Sequence, residues 1–414
     1  MGLAGREVRV AVVGLGGRSR SQIRTLLGMP DVKVAVVCDT YESRVEGTRA
    51  RCGEMQGFVP DGTTDYREAI ARNDIEAVMV FTSWQTHARI AVDAMKAGKY
   101  AAMEVGGASS IDECWRLVRT SEETGKPCMM LENCCYNERE MAALNMVRKG
   151  LFGELVHCEG GYLHDLRSEI GKGDVSRHYR QDNFHCRNGE LYPTHELGPI
   201  AKCLGLNRGN RMLSLTSIAS KAVGLRAWYC GHRAESALPQ AQINEGDIVT
   251  TMIKCANGET ISLKHDCTLP RPYSRGFLVQ GTKGVWQEDG AHVYFEGLSP
   301  VVEGEWTHTW EDEAVYIEKF RHPLWKAYRE FGLRGGHDGM DYLVLRAFVE
   351  AVQDGRQTPI DVYDTASWMA VTCLSEQSVA MGGLPVPFPD FTDGRWMNRQ
   401  DHVGGAYTLE DIPE

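Results

Sequence analysis

Between residues 8 and 131, short runs of β-branched and other apolar residues alternate with segments whose apolar positions recur at helical spacing. That alternation predicts a parallel sheet with helices on both faces. Strands are predicted at 8–13, 32–38, 77–81, 100–104 and 128–131. Helices are predicted from near Ser19, over 87–97 and over 111–124, with Gly98 and Gly125 placed as the C-cap glycines that end the last two.

After a further predicted helix at 137–149 the pattern changes. Longer strands separated by polar loops are predicted at 155–162, 212–217, 248–254, 260–267 and 276–281, as in a half-covered sheet with antiparallel pairing. Predicted helices at 338–353 and 366–381 are expected to pack back on the first domain. The expected fold is α/β, with a Rossmann dinucleotide-binding domain over 1–150 and an α/β domain with an open, mainly antiparallel sheet over 151–414. No internal repeat is visible.

A chain of 414 residues exceeds what one core usually supports, which agrees with two domains. The formal net charge of −11, with no run of Lys and Arg, argues against a nucleic-acid partner and for a small-molecule ligand. Residues 1–7 contain no apolar signal segment, and no later stretch holds about 18 uncharged apolar residues, so neither export nor a membrane partner is expected. A cytoplasmic location follows as an expectation.

Thirteen cysteines without Cys-x-x-Cys spacing, and histidines without His-x-x-x-His, predict reduced thiols and no metal site. The adjacent pair Cys134-Cys135 rarely allows an unstrained bridge. Trp228, Tyr229, Trp286 and Trp306 read as core aromatics of the second domain.

The candidate chemistry begins where the first strand runs into Gly14-Leu15-Gly16-Gly17. Backbone N–H groups and a helix amino terminus there suit a pyrophosphate. Ser19 takes the place of the usual third glycine. Asp39, ending the second strand about 20 residues on, suits the adenosine ribose hydroxyls and favours NAD over NADP, with Arg44 nearby. Three further segments fall at carboxyl ends of predicted parallel strands, where open α/β sheets bind ligands: Thr82 to His87, Glu104-Val105-Gly106, and Leu131-Glu132-Asn133.

This arrangement resembles the Gfo/Idh/MocA oxidoreductase superfamily over nearly the whole chain. Most members carry Glu-Lys-Pro where this chain has Glu104-Val105-Gly106, so the usual catalytic lysine is missing. That absence, together with the segment Met129 to Tyr136, His178-Tyr179-Arg180 and Tyr192-Pro193-Thr194-His195, is similar to glycoside hydrolase family 109, known chiefly as α-N-acetylgalactosaminidases that hold NAD. The resemblance implies NAD contacts at Gly17, Arg18, Asp39, Trp84, Gln85, Thr86, His87, Glu104, Val105 and Asn133, beside the glycine turn at Gly14 and Gly16. It implies sugar contacts at Tyr162, Arg180, Tyr192, Pro193, Thr194, His195 and Tyr273. Two departures stand out. Gly106-Gly107-Ala108 replaces Pro-Ala-Ala, and Glu196 replaces a glycine, which is expected to set a carboxylate beside the sugar.

Conventional glycosidases place two carboxylates about the scissile bond, and no clear pair is visible here. Resemblance to the NAD-dependent exceptions implies a different cycle: oxidation at C3, loss of the acidified C2 proton, elimination at C1, addition of water and reduction. Each step needs a tunable proton carrier. His195 is the first candidate, at the sugar hydroxyl or C2, and Tyr162 the second. The forked donors of Arg180 suit sugar oxygens, and Glu132 is a candidate to position a hydroxyl or relay a proton. Two rivals are a sugar dehydrogenase of the parent superfamily, disfavoured by the missing lysine, and an NAD sensor, which has no need of proton carriers. A glycoside substrate and a homo-oligomer are expected.

Overall fold

In the computed structural model, the described residues are 5–301, 307–399 and 404–409. Trp306, expected in the core, lies outside them. The chain divides into two compact units. One comprises the described parts of Met1–Glu138, His322–Ser367 and Gln400–Glu414; the other comprises Arg139–Arg321 and Trp368–Arg399.

The first unit is built on six strands: β1 (Val8–Val13), β2 (Val32–Cys38), β3 (Asp61–Thr63), β4 (Ala77–Val80), β5 (Tyr100–Met103) and β6 (Cys128–Met130). Their order is β3-β2-β1-β4-β5-β6, and every neighbouring pair is parallel. The order reverses at β1, which puts a topological switch point where the glycine turn leaves that strand. Only Arg9 interrupts the burial of β1, so the strand is apolar on both faces, as a sheet covered on both sides requires. The helix Ile111–Thr124 shows how local sequence sets an element's limits. Ser110 accepts a hydrogen bond from the Glu113 N–H at its start, the Glu113 carboxylate accepts one from the Ser109 N–H, and left-handed Gly125 (φ 66°) ends it.

The second unit holds nine strands: β7 (Leu155–Leu163), β8 (Met212–Ala219), β9 (Ile248–Cys255), β10 (Thr260–Asp266), β11 (Leu278–Gly281), β12 (Gly284–Gln287), β13 (His292–Phe295), β14 (Glu311–Asp312) and β15 (Val386–Pro387). Their order is β14-β13-β12-β11-β7-β10-β9-β8-β15. Only β7 and β10 pair in parallel; the other neighbours are antiparallel, in line with the expected mainly antiparallel sheet. Along β9 buried and open positions alternate, so one face is covered and the other is not. On the covered face the helix Thr194–Cys203 lies so close to β7 that a Cβ at Gly160 would meet Glu196 Cγ at 2.0 Å.

The structure departs from the sequence expectation in three respects. The observed units do not follow one cut at residue 150. The helix Met340–Asp354, expected to pack back on the first domain, is grouped with the first unit, but the boundary between Ser367 and Trp368 falls inside the helix Val362–Ala380. Strands β3, β12, β13, β14 and β15 were not expected, because runs of two to four residues carry too little periodicity. The helix Thr194–Cys203 was also missed, because it contains Pro199, which ordinarily argues against a helix interior.

Candidate active site

The cofactor end of the first unit begins with Gly14. Its φ is +94°, and a Cβ there would meet the Phe81 carbonyl carbon and oxygen at 2.6 Å, so only glycine fits. Gly16 and Gly17 are the opposite case, with nothing within 4 Å of where a Cβ would stand, and they open the helix Gly17–Leu27. An open concavity lined by backbone at a helix amino terminus is what a pyrophosphate requires. Ser19, where a third glycine was expected, is buried and turns its hydroxyl back to the Gly16 carbonyl at 2.8 Å. Asp39 accepts from the Leu15 N–H at 2.7 Å and the Tyr41 N–H at 3.0 Å, and Arg44 Nη1 lies 3.5 Å from it. One carboxylate therefore joins the end of β2 to the glycine turn.

At the neighbouring strand ends, Trp84, His87, Glu104, Val105 and Asn133 are all buried. His87 Nε2 stands 3.0 Å from the Thr82 carbonyl, and burial pushes its pKa down to about 4, so this neutral imidazole fixes its own helix start. Gln85 and Thr86 lie on the same first turn, with Thr86 Oγ1 donating to Thr82 Oγ1 at 2.7 Å. Gly106 has a reason in packing: a Cβ there would meet Trp84 Cδ1 at 2.3 Å.

Arg18 gathers this end of the unit. Its Nε donates to Glu104 Oε1 at 2.8 Å, and its two terminal nitrogens donate to Asp341 at 3.0 and 2.9 Å. Asp341 is fully buried and also accepts from Asn133 Nδ2 at 2.9 Å, while His337 Nδ1 lies 2.9 Å from its Oδ2. These partners hold the Asp341 carboxyl well below the usual carboxylate range despite its burial. Neither Asp341 nor His337 was singled out from sequence. The available signal was Gly335-Gly336-His337-Asp338-Gly339, in which His337 and Asp338 adopt left-handed φ of 49° and 53°. His337 is 56% exposed and oriented by a buried carboxylate, an arrangement that suits proton transfer.

The second unit brings together five of the expected sugar-site residues. The Tyr162 ring packs against Tyr192 (centroids 4.4 Å apart), His195 (5.4 Å) and Tyr273 (6.4 Å). Tyr192 and His195 meet edge to face at 4.9 Å. The buried Arg180 guanidinium stands over Tyr162 at 5.6 Å and Tyr192 at 5.0 Å, and forms an ion pair with Glu169, Nε to Oε1 at 3.0 Å. Pro193 caps the helix that starts at Thr194, which aims His195 from a fixed first turn. Thr194 itself is fully buried. Tyr273 is 47% exposed and accepts from Arg275 Nη1 at 3.4 Å.

Glu196 corrects an expectation. One residue on from His195 it points about 100° away around the helix and is fully buried, where its Oε2 accepts from Arg275 Nε at 3.1 Å. It is a packing carboxylate facing β7, not one of the aromatic cluster. Glu132 lies in the first unit, fully buried, and accepts from the Cys134 N–H at 3.1 Å.

A family model described as "Glycosyl hydrolase 109, C-terminal domain" matches residues 136–398, and one described as "Oxidoreductase family, NAD-binding Rossmann fold" matches residues 8–132. The chain belongs to glycosyl hydrolase family 109. Among relatives of this family 109 chain, an alpha-N-acetylgalactosaminidase of Tannerella forsythia is 40% identical, over 95% of this chain and 88% of that protein. A glycosyl hydrolase family 109 protein of Parabacteroides distasonis is 39% identical, over 95% and 89%.

Solved structures share its fold. The WlbA dehydrogenase of Bordetella pertussis, in complex with NADH and UDP-GlcNAcA, has a TM-score of 0.67 at 12% identity, covering 94% of this chain and 99% of that one. Levoglucosan dehydrogenase in complex with NADH and levoglucosan has 0.66 at 17% identity, covering 93% and 100%. This family 109 enzyme is a glycoside hydrolase whose first unit is an NAD-binding Rossmann domain. The open turn at Gly16 and Gly17 and the carboxylate of Asp39 are residues that fit that cofactor.

Proposed function

We propose that this glycoside hydrolase acts on α-N-acetylgalactosaminides through a cycle in which the sugar is first oxidised and finally reduced. The observation that carries the reading is the cluster of Tyr162, Tyr192, His195 and Tyr273 beneath Arg180, two proton carriers and a fixed cation in one place. NAD, when bound, supplies the oxidation of C3 and its later reversal.

The protein's own residues hold the sugar and move protons. A C3 ketone acidifies the C2 proton, because the electron pair left behind is delocalised as an enolate. Tyr162 or His195 takes that proton; the enolate pair then expels the C1 leaving group, and water adds to the unsaturated ketone. Arg180 offers its forked donors to sugar oxygens while it is ion-paired with Glu169. On the NAD side, Gly14, Gly16, Gly17, Arg18, Asp39, the Trp84-Gln85-Thr86-His87 turn, Glu104, Val105 and Asn133 hold the dinucleotide. Tyr192, Pro193, Thr194, His195 and Tyr273 complete the sugar-binding residues of the second unit, and Glu132 is the sugar-binding candidate of the first unit.

Supplying a nitrophenyl α-N-acetylgalactosaminide without added NAD tests the reading. Release of aglycone over many turnovers is expected. Stoichiometric build-up of NADH on free sugar, with no aglycone release, overturns it in favour of a dehydrogenase.

Homo-oligomerisation is part of the same proposal, supported by Ile218 and Met252, 65% and 44% exposed on neighbouring strands β8 and β9. Light scattering in line with size exclusion decides it. A cytoplasmic location is supported by thirteen free thiols. No helix among the described residues is long and apolar enough to cross a membrane.

A further inference from the structure

One polar contact in the aromatic cluster has no role in the chemistry above. Just past the end of β7, His164 Nδ1 lies 3.2 Å from the Tyr162 hydroxyl, and the two rings meet at 90° with centroids 5.7 Å apart. His164 is held in place. Its N–H donates to the Asp266 carbonyl at 2.9 Å, and its ring packs edge to face on Tyr273 at 4.9 Å.

Tyr162 is a poor base by itself. Burial pushes its pKa up, and the neighbouring Arg180 only partly opposes that. A buried phenol can take a proton from the sugar only if its own proton leaves at the same time. The receiving group must be neutral, within hydrogen-bond reach and in touch with water. Burial and Arg180 hold the His164 imidazole below its usual range, so it is neutral at pH 7. The charged and titratable groups around it are Arg180 and His195, which lower its pKa, and Glu169 and Asp165, which raise it. His164 is also only partly buried, which leaves it a route to solvent.

We infer that His164 is the proton acceptor for Tyr162, a positioning residue that acts on the sugar through that phenol. The inference rests on the reading of Tyr162 as the base at C2. As the C2–H bond breaks, its electron pair stays on the sugar as the enolate and the proton forms a new O–H bond on Tyr162. The original phenolic O–H bond breaks, and its proton forms an N–H bond at His164 Nδ1. The enolate pair then expels the leaving group at C1, and the imidazolium passes its proton to water.

The test compares His164→Ala, His164→Gln and Tyr162→Phe, each with its NAD content measured, on a nitrophenyl α-N-acetylgalactosaminide. Both His164 variants are expected to lose about 100-fold in kcat with KM within about threefold. Free imidazole in the buffer is expected to restore at least about tenfold to His164→Ala and nothing to His164→Gln, which leaves no space for it. In the parent, kcat is expected to fall as pH drops through the titration of His164, because a protonated imidazole cannot accept the phenolic proton, and His164→Gln is expected to lack that acid limb. Retention of kcat within about threefold in both His164 variants, or loss with neither imidazole rescue nor a changed acid limb, overturns the inference while Tyr162→Phe is inactive. Full activity of Tyr162→Phe overturns the reading of Tyr162 itself, and the inference with it.

Discussion

The Asp341 carboxylate takes two hydrogen bonds from the Arg18 guanidinium, Nη1 to Oδ2 at 3.0 Å and Nη2 to Oδ1 at 2.9 Å, while the same Arg18 reaches Glu104 through Nε. A residue more than 300 positions along the chain thus fixes the arginine beside the glycine turn. Replacing Asp341 by Ala leaves that cation short of a partner, and breaking such a buried pair costs about 3 kcal/mol. Denaturant melts should show the loss, and the purified variant should carry less NAD. The pH dependence has a defined sign. The folded carboxyl is held below its unfolded value of about 3.9, so its contribution is present above that pH and is lost as pH falls below it. Asp341→Asn should flatten this acid limb of the stability profile.

Gly16→Ala and Gly17→Ala should separate cofactor binding from folding. Neither added Cβ meets anything within 4 Å, so stability without NAD should change by no more than about 1 kcal/mol. NAD content after desalting should fall sharply. Gly14→Ala is the contrast, since its Cβ would press on the Phe81 backbone, and it should lower folding yield with or without NAD.

Gly106→Ala should displace Trp84, whose ring would lie 2.3 Å from the new Cβ. Overpacking of this kind costs about 1–3 kcal/mol. Altered tryptophan fluorescence and a lower melting temperature are the measurements.

Glu190 gives a second pH prediction. It is fully buried behind Tyr192, whose N–H it accepts at 3.3 Å, and burial raises its carboxyl to about 7. A folded pKa above the unfolded value means that the native state binds the extra proton. Stability from this residue is therefore present at low pH and falls as pH rises from about 4.3 toward 7. Glu190→Gln should remove that decline, as read from melts between pH 5 and 8.

His195→Phe and His337→Ala test the imidazoles separately. Loss of a general acid or base lowers rate by about 10²–10⁴-fold. If His337 is a proton carrier, its variant should retain NAD while kcat falls; unchanged kcat would leave it a structural partner of Asp341. In heavy water, product from the parent enzyme should carry deuterium at C2.

Much of this was legible in sequence because it is written locally. The strands β1 and β2 fall at their expected limits, since unbroken apolar runs fix a strand buried on both faces. Tyr162, Arg180, Tyr192, His195 and Tyr273 were expected to share a site, and the second unit brings them together. Glu196 was misplaced because a motif read as a string ignores helix rotation: its neighbour His195 belongs to the aromatic cluster, and Glu196 faces β7.

By itself the sequence determined the glycine turn and the limits of the apolar strands β1 and β2, because steric need at Gly14 and apolar periodicity act between near neighbours. Only the tertiary structure decided which distant groups meet them. Asp341 reaches Arg18, and His164 reaches the hydroxyl of Tyr162. Such pairs depend on which elements pack side by side, and the burial that gives each contact its strength exists only once the chain has folded.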